Sequence, residues 1–410
     1  MNSLIPAADG RAGDTVAPSD EDAIASVVAA AAAAGEPLLV RGNGTKSAML
    51  RPVQAARTLS TGNHRGIVFH SPNELVIRAR AGTPVAEIEA TLAERGQHLI
   101  AEPPELSALF GTSAPQTVGG IVAANLSGPR RVAWGAMRDH LLGVRAVNGA
   151  GEVIRSGGRV LKNVTGLDLC KLLAGSHGTL AVITEVTLKV LPAPEAVGTV
   201  VLPGLDAERG VAALSAALGS PFGVSAAAWL PAEAAARVGI AGPAALARIE
   251  DFAASVAYRA DRLRKDLARF ATGEILDDAA SRGLWRAVRD AAPLAAAPDQ
   301  AVWRVSVRPS AGPTVARAVG AAFDARVFLD WGGGLVWIAG PAEASAHDAV
   351  ERAARAAGGT WMLLRAPEPL RAAVAVVPPE PPALARITRR VKAAFDPHAI
   401  LNPGRMYAGL

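Results

Sequence analysis

The chain has 410 residues, of which half are apolar and 19% are charged, so wholesale disorder is excluded and two or three domains are expected. A net charge of +5, from 42 basic and 37 acidic residues, would tolerate an anionic ligand but does not predict nucleic-acid binding. The single cysteine, Cys170, excludes an internal disulfide and any all-cysteine metal or iron–sulfur site, and we predict no metal site.

The first half of the chain is predicted to mix short strands with alanine-rich helices. Residues 1–15 are expected to form a flexible leader without a secretory signal, and no apolar stretch near it is long enough to span a bilayer, which favours a cytoplasmic protein. The predicted elements are a helix from the N-cap at Ser19-Asp20 to Gly35, strands at 37–40, 75–80, 142–148, 152–155 and 180–191, and a helix at 85–95. Prolines at 192 and 194 then interrupt the pattern, so we place the end of a first domain, 16–195, there.

The second half predicts an antiparallel sheet. From residue 301 the order is strand, helix, strand, glycine turn, strand, helix, strand, which is the β-α-β-β-α-β order of a ferredoxin-like fold. An earlier strand at 245–249 and helix at 256–270 are expected to extend the sheet. We therefore predict an α+β fold, with a cap domain at 196–376 and a linker, tail helix and tail at 377–410. The tail helix carries Leu384, Ile387, Val391 and Phe395 on one face.

Three segments rich in glycine and hydroxyl residues are candidates for ligand binding. The first, Arg41-Gly-Asn-Gly-Thr-Lys46, follows a strand, and its glycines allow successive N–H groups to converge on an anion. It lacks the third glycine of a dinucleotide fingerprint, and an ordinary turn between strands is the alternative. The second, 111–120, ends in Gly119-Gly120 and suits a backbone that lies against a planar ligand; a surface loop is the alternative.

The third segment, Gly175-Ser-His-Gly-Thr-Leu180, leads into the strand at 180–191. His177 is a candidate base, although a lone histidine in a glycine turn is more often structural. Three such segments within 190 residues favour a large cofactor over a single phosphate.

Together these segments resemble a known family of flavoproteins. RGNGTK, TVGG, Trp134-Gly-Ala-Met-Arg-Asp-His140 and KNVTGLDLCKLLAGSHGTLAVITEV are similar to the FAD-binding domain of the vanillyl-alcohol oxidase (PCMH-type) family, over about residues 16–195. The tail, Phe395 to Arg405, resembles the C-terminal segment that returns to the flavin domain in that family. Within the family, the first loop, the KNVTGLDL stretch and the chain length are most like the flavin-binding E subunits of bacterial glycolate oxidases.

The resemblance implies a set of cofactor contacts. Arg41 to Lys46 would hold the FAD pyrophosphate, and the second and third segments would contact the rest of the cofactor. A histidine in the first loop, as in covalent-flavin relatives, is absent, so non-covalent FAD is expected. The implied FAD-binding residues are Arg41, Gly42, Asn43, Gly44, Thr45, Lys46, Ser113, Thr117, Val118, Gly119, Gly120, Gly178 and Ile183.

Residues for substrate chemistry are harder to find in the sequence. Relatives that oxidise 2-hydroxy acids carry an HxGDGN-type motif in the cap, and no histidine lies between 199 and 346 here. Arg304 and Arg308 alternate along one strand, a pattern that a solvated sheet face also produces, and Arg308 is a weak candidate for a carboxylate clamp. Asp168 is interpreted as a helix cap. We assign no catalytic residue.

The resemblance then implies a partner-dependent enzyme. The expected function is that of the FAD-binding subunit of a glycolate oxidase, with a larger flavin subunit and an iron–sulfur subunit as partners and a peripheral association with the inner face of the membrane. Two alternatives stay open: a self-sufficient FAD-dependent 2-hydroxy-acid (D-lactate type) dehydrogenase, and a non-catalytic scaffold. Basic residues of the tail helix, Arg386, Arg389, Arg390 and Lys392, could dock an acidic partner or a lipid surface, although a solvated face is the commoner explanation.

Overall fold

A computed structural model describes residues 14–158 and 167–410 of the chain. Residues 1–13 of the predicted leader and residues 162–166, the KNVTG portion of the KNVTGLDL motif, lie outside the described residues. Asp14 and Thr15, which we assigned to the leader, instead form a strand with Val16 that pairs in parallel with a later strand.

The first half contains two small sheets. A three-stranded parallel sheet has the order β1-β3-β2, and a six-stranded antiparallel sheet has the order β4-β5-β9-β7-β8, with β6 paired to β9. The predicted strands are present in these sheets, and the strands predicted at 142–148 and 152–155 form a hairpin around Gly149–Gly151. The strands are β1 (Asp14–Val16), β2 (Leu38–Arg41), β3 (Arg57–Ser60), β4 (Ile67–Ser71), β5 (Val76–Arg80), β6 (Gln97–Leu99), β7 (Leu141–Asn148), β8 (Val153–Gly157) and β9 (Ala181–Pro192).

The first helix begins and ends at the residues that the sequence indicates, whereas the helix predicted at 85–95 ends at Ala93. The Asp20 carboxylate caps the first helix by accepting from Ala23 N at 2.8 Å, and Gly35 ends it in the left-handed conformation. The helices are α1 (Glu21–Ala34), α2 (Val85–Ala93), α3 (Ser107–Phe110), α4 (Val118–Ala123), α5 (Arg131–Trp134) and α6 (Leu169–Leu173).

The second half forms one eight-stranded antiparallel sheet, which we call the cap sheet. Its order is β13-β10-β12-β11-β15-β16-β14-β17, with every neighbouring pair antiparallel. The strands are β10 (Ala196–Pro203), β11 (Val224–Leu230), β12 (Ala244–Asp251), β13 (Glu274–Leu276), β14 (Ala301–Ser306), β15 (Arg326–Asp330), β16 (Leu335–Gly340) and β17 (Thr360–Arg365). The expectation of a ferredoxin-like antiparallel sheet is confirmed.

The cap sheet consists of two ferredoxin-like units rather than one unit with an extension. The strand order within each unit is the same, and the units meet where β11 pairs with β15. Their helices are α7 (Ala207–Leu218), α8 (Ala232–Ala236), α9 (Ala253–Asp266), α10 (Asp278–Arg289), α11 (Gly312–Ala322) and α12 (Ala344–Ala356), followed by α13 (Glu368–Ala373) and α14 (Pro382–Phe395). The first unit is harder to read from sequence because β11, VSAAAWL, is alanine-rich and buried along its whole length.

The register of the strands separates the two faces of the cap sheet. Trp229 and Trp303 lie on one face, where Trp303 Nε1 contacts His347 of α12 at 3.1 Å. Arg248, Trp337 and Arg304 lie on the opposite face, and Arg248 reaches residues of the first half of the chain. This second face therefore packs against the first half.

A buried cluster of four charges joins the two halves. Arg248, which is 2% exposed, makes two hydrogen bonds to Glu102, at 2.8 and 2.9 Å. Arg130 likewise makes a bidentate pair with Glu250, in which Nε and Nη2 donate to the two carboxylate oxygens at 3.0 and 2.6 Å. Burial raises the pKa of each glutamate, but the two guanidinium groups outweigh it, so both pKa values lie below their ordinary range. Both carboxylates are therefore charged and compensated at the interface.

The tail helix leaves its apolar face largely uncovered. Leu384 is 47% and Ile387 58% exposed, whereas Lys392 is buried. Lys392 Nζ donates to Asp396 Oδ2 at 2.6 Å and to the carbonyls of Thr179 and Leu401. The suggestion that Lys392 belongs to a basic docking face is therefore wrong, because its ammonium group is used to fix the tail. Among the described residues, no helix is both long enough and apolar enough to cross a membrane.

The interface cluster gives a stability prediction. Replacement of Arg248 by Met should leave Glu102 and Glu250 buried with too little positive charge and lower the free energy of unfolding by roughly 3–5 kcal/mol at neutral pH. Because the orphaned glutamates can then take up protons, the deficit should shrink as the pH falls through and below 4.5. Denaturant unfolding at several pH values measures both effects. Arg262→Met, on the exposed side of α9, is the matched control, and an equal loss in the two variants would contradict the assignment.

Candidate functional site

The three glycine-rich segments meet in one open cleft at the end of β2, with about 800 Å³ of empty volume. Eleven of the thirteen predicted site residues line it: Arg41, Gly42, Asn43, Gly44, Thr45, Lys46, Thr117, Gly119, Gly120, Gly178 and Ile183. The remaining lining comes from Leu39, Val40, Ser47, Met49, Thr61, Ala123, Ala124, His177, Ala181, Val182, Asn402 and Arg405.

The first loop presents unused main-chain donors to the cleft. Gly44 has φ +76°, and the loop closes where Ser47 donates to the Gly44 carbonyl from its N–H and its hydroxyl, at 3.1 and 2.9 Å. Within residues 14–158 and 167–410, the N–H groups of Asn43, Gly44, Thr45 and Lys46 have no hydrogen-bond acceptor. Such consecutive free N–H groups form an anion-binding concavity.

Lys46 adds a half-buried positive charge to this loop. Its Nζ contacts the Thr45 hydroxyl at 3.1 Å, and among the described residues it has no carboxylate partner. Burial lowers the pKa of Lys46 to about 8, with partial opposition from the field of Glu105. An ammonium group in this position is stabilised by an anion in the cleft.

The second loop packs tightly beneath the first. Thr117 caps α4, and a Cβ on Gly42 would lie 2.3 Å from its hydroxyl oxygen, so glycine is required where the loops touch. Asn43 Nδ2 also donates to the Pro115 carbonyl at 2.9 Å. A Cβ on Gly119 would lie 2.6 Å from the Ala81 Cβ. Gly119 is therefore needed for packing, whereas a Cβ on Gly120 would lie 3.8 Å from Lys46 Nζ.

Ser113 and Val118 are the two predicted residues that do not line the cleft. Ser113 is exposed on the loop before α4, and Val118 is buried in the core, with its N–H donating to the Thr83 carbonyl. Their proposed FAD contacts therefore have no support from the shape of the cleft.

The tail supplies a residue that holds the third loop against the first. Asn402 Oδ1 accepts from Val40 N at 2.8 Å, while Nδ2 donates to the carbonyls of Val40 and His177 at 3.1 and 2.9 Å. A Cβ on Gly178, which has φ +72°, would lie 2.8 Å from this amide nitrogen. Glycine at 178 thus allows the close approach that lets the Asn402 side chain join the loops.

The charged residues that line the cleft in the described part of the chain are all basic. Arg405 donates to the carbonyls of Lys46 and Ser47, which places a third cation beside Arg41 and Lys46. The described lining contains no aspartate or glutamate. Ala181, Val182 and Ile183 of β9 provide an apolar wall next to this positive region. Such a cleft suits a ligand that combines a polyphosphate with an apolar ring system.

His177, the only histidine in the described lining, is poorly suited to act as a base. Burial, with the nearby Arg405, lowers the pKa of His177 to about 3, so the ring is neutral at physiological pH. The His177 backbone has φ +53°, and the hydrogen bond that its carbonyl accepts from Asn402 Nδ2 helps to stabilise this conformation. Cys170 does not line the cleft, and burial raises the pKa of its thiol to about 11. A protonated thiol outside the cleft cannot attach the cofactor, which favours non-covalent binding.

Sequence reasoning did not assign Asn402 and Arg405 to the site. The sequence feature that could have indicated them is the Asn402-Pro403-Gly404-Arg405 turn of the tail. The position of this turn beside β2, however, depends on contacts between residues some 360 positions apart. The main chain of the tail runs parallel to β2, since Leu38 N donates to the Ile400 carbonyl and Asn402 N donates to the Leu38 carbonyl.

The residues of this cleft fit FAD. The free N–H groups of residues 43–46 and the Lys46 ammonium would hold its diphosphate, and the apolar residues of β9 would lie along its rings. The fit depends on three features of the described residues: a half-buried ammonium without a carboxylate partner, four main-chain N–H groups without an acceptor, and glycines where a Cβ would collide.

Comparison with known proteins agrees with this assignment. A family model described as an FAD binding domain matches residues 14–157. Glycolate oxidase subunit GlcE of Escherichia coli (strain K12) is 34% identical over 380 residues, covering 91% of this chain and 93% of GlcE. Glycolate oxidase subunit GlcD of Bacillus subtilis (strain 168) is 28% identical over 44% of this chain and 37% of GlcD. The structure of 4-ethylphenol oxidase from Gulosibacter chungangensis superposes with a TM-score of 0.71 at 15% identity, over 96% of this chain and 89% of that one.

The first loop gives a prediction with a matched control. Gly44→Val should weaken FAD binding at least tenfold, because a β-branched residue is strained at φ +76° and would turn the loop amides away from the diphosphate. Gly204→Val carries a similar strain, at φ +74°, but lies outside the cleft, in the turn after β10. FAD titration by flavin fluorescence compares the two. Equal affinity in both variants would show that the loop does not hold the cofactor.

Lys46 gives a pH prediction. FAD affinity should be highest below pH 8 and should fall as the pH rises through about 8, because the free protein then loses the ammonium charge that attracts the diphosphate. Lys46→Met should bind FAD more weakly at pH 7 and should lose this pH dependence. Dissociation constants between pH 6.5 and pH 9.5 test it, and a parallel pH profile in the Lys46→Met variant would contradict the role of Lys46.

Proposed function

The chain belongs to the family of FAD-binding oxidoreductases that includes glycolate oxidase subunit GlcE, and we propose that it is the FAD-binding subunit of a glycolate oxidase. In this role it would take part in oxidising glycolate to glyoxylate, a reaction at a CH–OH group. The observation that carries the proposal is the 34% identity to GlcE across more than nine-tenths of both chains.

The cleft contributes binding and orientation to that reaction. FAD, when bound, supplies the acceptor for the hydride that leaves the carbon bearing the hydroxyl group. The amides of residues 43–46 and the Lys46 ammonium hold the anionic end of the cofactor. Asn402 and Arg405 fix the loops, so that the position of the cofactor is set by the fold before it binds.

Removal of the hydroxyl proton of glycolate needs a base that the described cleft does not offer. His177 has a pKa of about 3, and a base this weak takes up a proton poorly at neutral pH. Lys46 is committed to the anionic end of the cofactor. We therefore propose that the substrate base is on the larger flavin subunit, and no catalytic residue is assigned to this chain.

Electrons must also leave the flavin after glycolate is oxidised. The chain has one cysteine, which is buried and in the thiol form, so it cannot ligate an iron–sulfur cluster by itself. We propose an iron–sulfur subunit as the next carrier and association of the complex with the membrane surface. The word subunit in the name of GlcE supports a multi-subunit enzyme.

The proposal predicts how the isolated chain and the complex differ. Purified alone and loaded with FAD, the chain should keep its flavin absorbance when glycolate is added without oxygen. Co-expression with the larger flavin subunit and the iron–sulfur subunit should restore glycolate-dependent dye reduction. In that complex, Gly44→Val should assemble but lose activity, and Gly204→Val should retain it.

Rapid bleaching of the flavin by glycolate or D-lactate in the isolated chain would replace the proposal with a self-sufficient 2-hydroxy-acid dehydrogenase. Full activity of a complex that contains Gly44→Val without bound FAD would favour a scaffold role.

A further inference from the structure

We propose that the first half of the tail helix α14 is the surface that docks onto a bilayer containing anionic phospholipids. This inference rests on the membrane association in the proposed function and names the residues that make the contact, but it does not need glycolate as the substrate. Exposed arginines without acidic partners, exposed aliphatic side chains beside them, and the projection of the helix from the protein carry it together.

The charges of α14 are all positive. Residues 382–395 include four basic side chains and no acidic one. Lys392 is buried and paired with Asp396, so it is not available for docking. The three basic residues that remain are exposed: Arg386, Arg389 and Arg390.

These three arginines have no carboxylate partner among the described residues. Arg389 Nε donates to the Ala385 carbonyl of its own helix at 3.3 Å, and the side chains of Arg386 and Arg390 make no hydrogen bond or ion pair in that part of the chain. No contact fixes the guanidinium groups in one geometry. Such mobile cations suit the diffuse negative charge of lipid headgroups better than a fixed carboxylate on a folded partner.

Aliphatic side chains share the exposed surface with the arginines. Leu384 and Ile387 are exposed, whereas Val391 and Phe395, which continue the same apolar stripe, are half-buried. Ile387 directly follows Arg386 on the outer surface of the helix. A helix that combines exposed arginines with exposed aliphatic residues matches the pattern of helices that lie in the plane of a membrane interface.

An open groove separates the first half of α14 from the rest of the protein. The groove has about 1040 Å³ of empty volume and lies between Ala385 and Arg389 on the helix side and residues 372–380 and 406–410 on the other. The one acid of its described lining, Glu380, accepts from the Thr388 hydroxyl at 2.8 Å. The helix is therefore open to solvent on its outer surface and on its groove side, and it forms a convex ridge. A bilayer interface can receive such a ridge, whereas an acidic protein would need a matching furrow.

Vesicle binding by the purified, FAD-loaded chain tests the proposal. Vesicles of phosphatidylcholine with one-third phosphatidylglycerol should bind the chain at least tenfold more tightly than vesicles of phosphatidylcholine alone, as measured by co-sedimentation. Binding should weaken as the salt concentration rises, because salt screens the arginines. Equal binding to the two kinds of vesicle, or binding to neither, would overturn the proposal.

Paired arginine substitutions locate the contact. The double variant Arg386→Gln with Arg390→Gln should bind phosphatidylglycerol vesicles at least tenfold more weakly, since each arginine near an anionic surface contributes about fivefold. The matched control is Arg262→Gln with Arg269→Gln, which removes two exposed arginines in and just after α9 and should stay within twofold of the unchanged protein. An equal loss in both double variants would show that net charge alone drives binding, and the assignment to α14 would be wrong.

A tryptophan on the ridge reports insertion rather than charge attraction. Ile387→Trp should bind phosphatidylglycerol vesicles more tightly, and its fluorescence should shift to shorter wavelength when they are added, because the indole enters the interface. Tyr258→Trp, at an exposed position of α9, should show no such shift. A vesicle-bound Ile387→Trp variant without the shift would mean that another surface touches the bilayer.

The vesicle assays contain neither partner subunits nor glycolate, so their outcome is separate from that of the proposed reaction. Vesicle binding without glycolate oxidation by the complex would leave the docking surface standing and remove the glycolate oxidase assignment. Absence of vesicle binding, with loss of partner co-purification in the Arg386→Gln, Arg390→Gln variant, would overturn the membrane proposal and assign the ridge to an acidic protein.

Discussion

The side chain of Asn402 joins three segments that are far apart in the sequence, and the geometry of the cleft depends on it. Its amide satisfies both main-chain groups of Val40, immediately before the first loop, and the carbonyl of His177 in the third loop. An asparagine can do this because it carries an acceptor and two donors on one planar group. The tail is therefore part of the cofactor site, even though it follows the whole cap sheet in the sequence.

Two kinds of charged environment occur in this protein. At the interface between the halves, Glu102 and Glu250 are each matched with an arginine, which allows four charges to be buried together. In the cleft, Lys46 is half-buried, and the charged residues of the described lining are all basic. The first arrangement holds the structure together, and the second keeps a site for an anion.

Much of this architecture could be predicted from local sequence patterns. The β-α-β-β-α-β order after residue 300 and the glycine-rich loops are short-range features, and the structure contains the former and brings the latter into one cleft. The first ferredoxin-like unit was only partly predicted, because the fully buried, alanine-rich β11 lacks the alternation that identifies a strand. Long-range contacts could not be predicted from the sequence. No local sequence feature distinguishes Gly119, which packs against Ala81, from Gly120, which faces the cleft. Likewise, the alternation of Arg304 and Arg308 could not reveal that Arg308 is exposed whereas Arg304 is partly buried.

The central claim is that the tail assembles the glycine loops into a site for FAD, and the affinity of the Asn402→Ala variant tests it most directly. The account predicts that this variant keeps its secondary structure by circular dichroism but binds FAD at least tenfold more weakly, because the first and third loops lose the amide that joins them. Ile387→Ala, on the exposed face of α14, should bind FAD like the unchanged protein. An unchanged dissociation constant in Asn402→Ala would contradict the account, since the loops would then hold the cofactor without the tail.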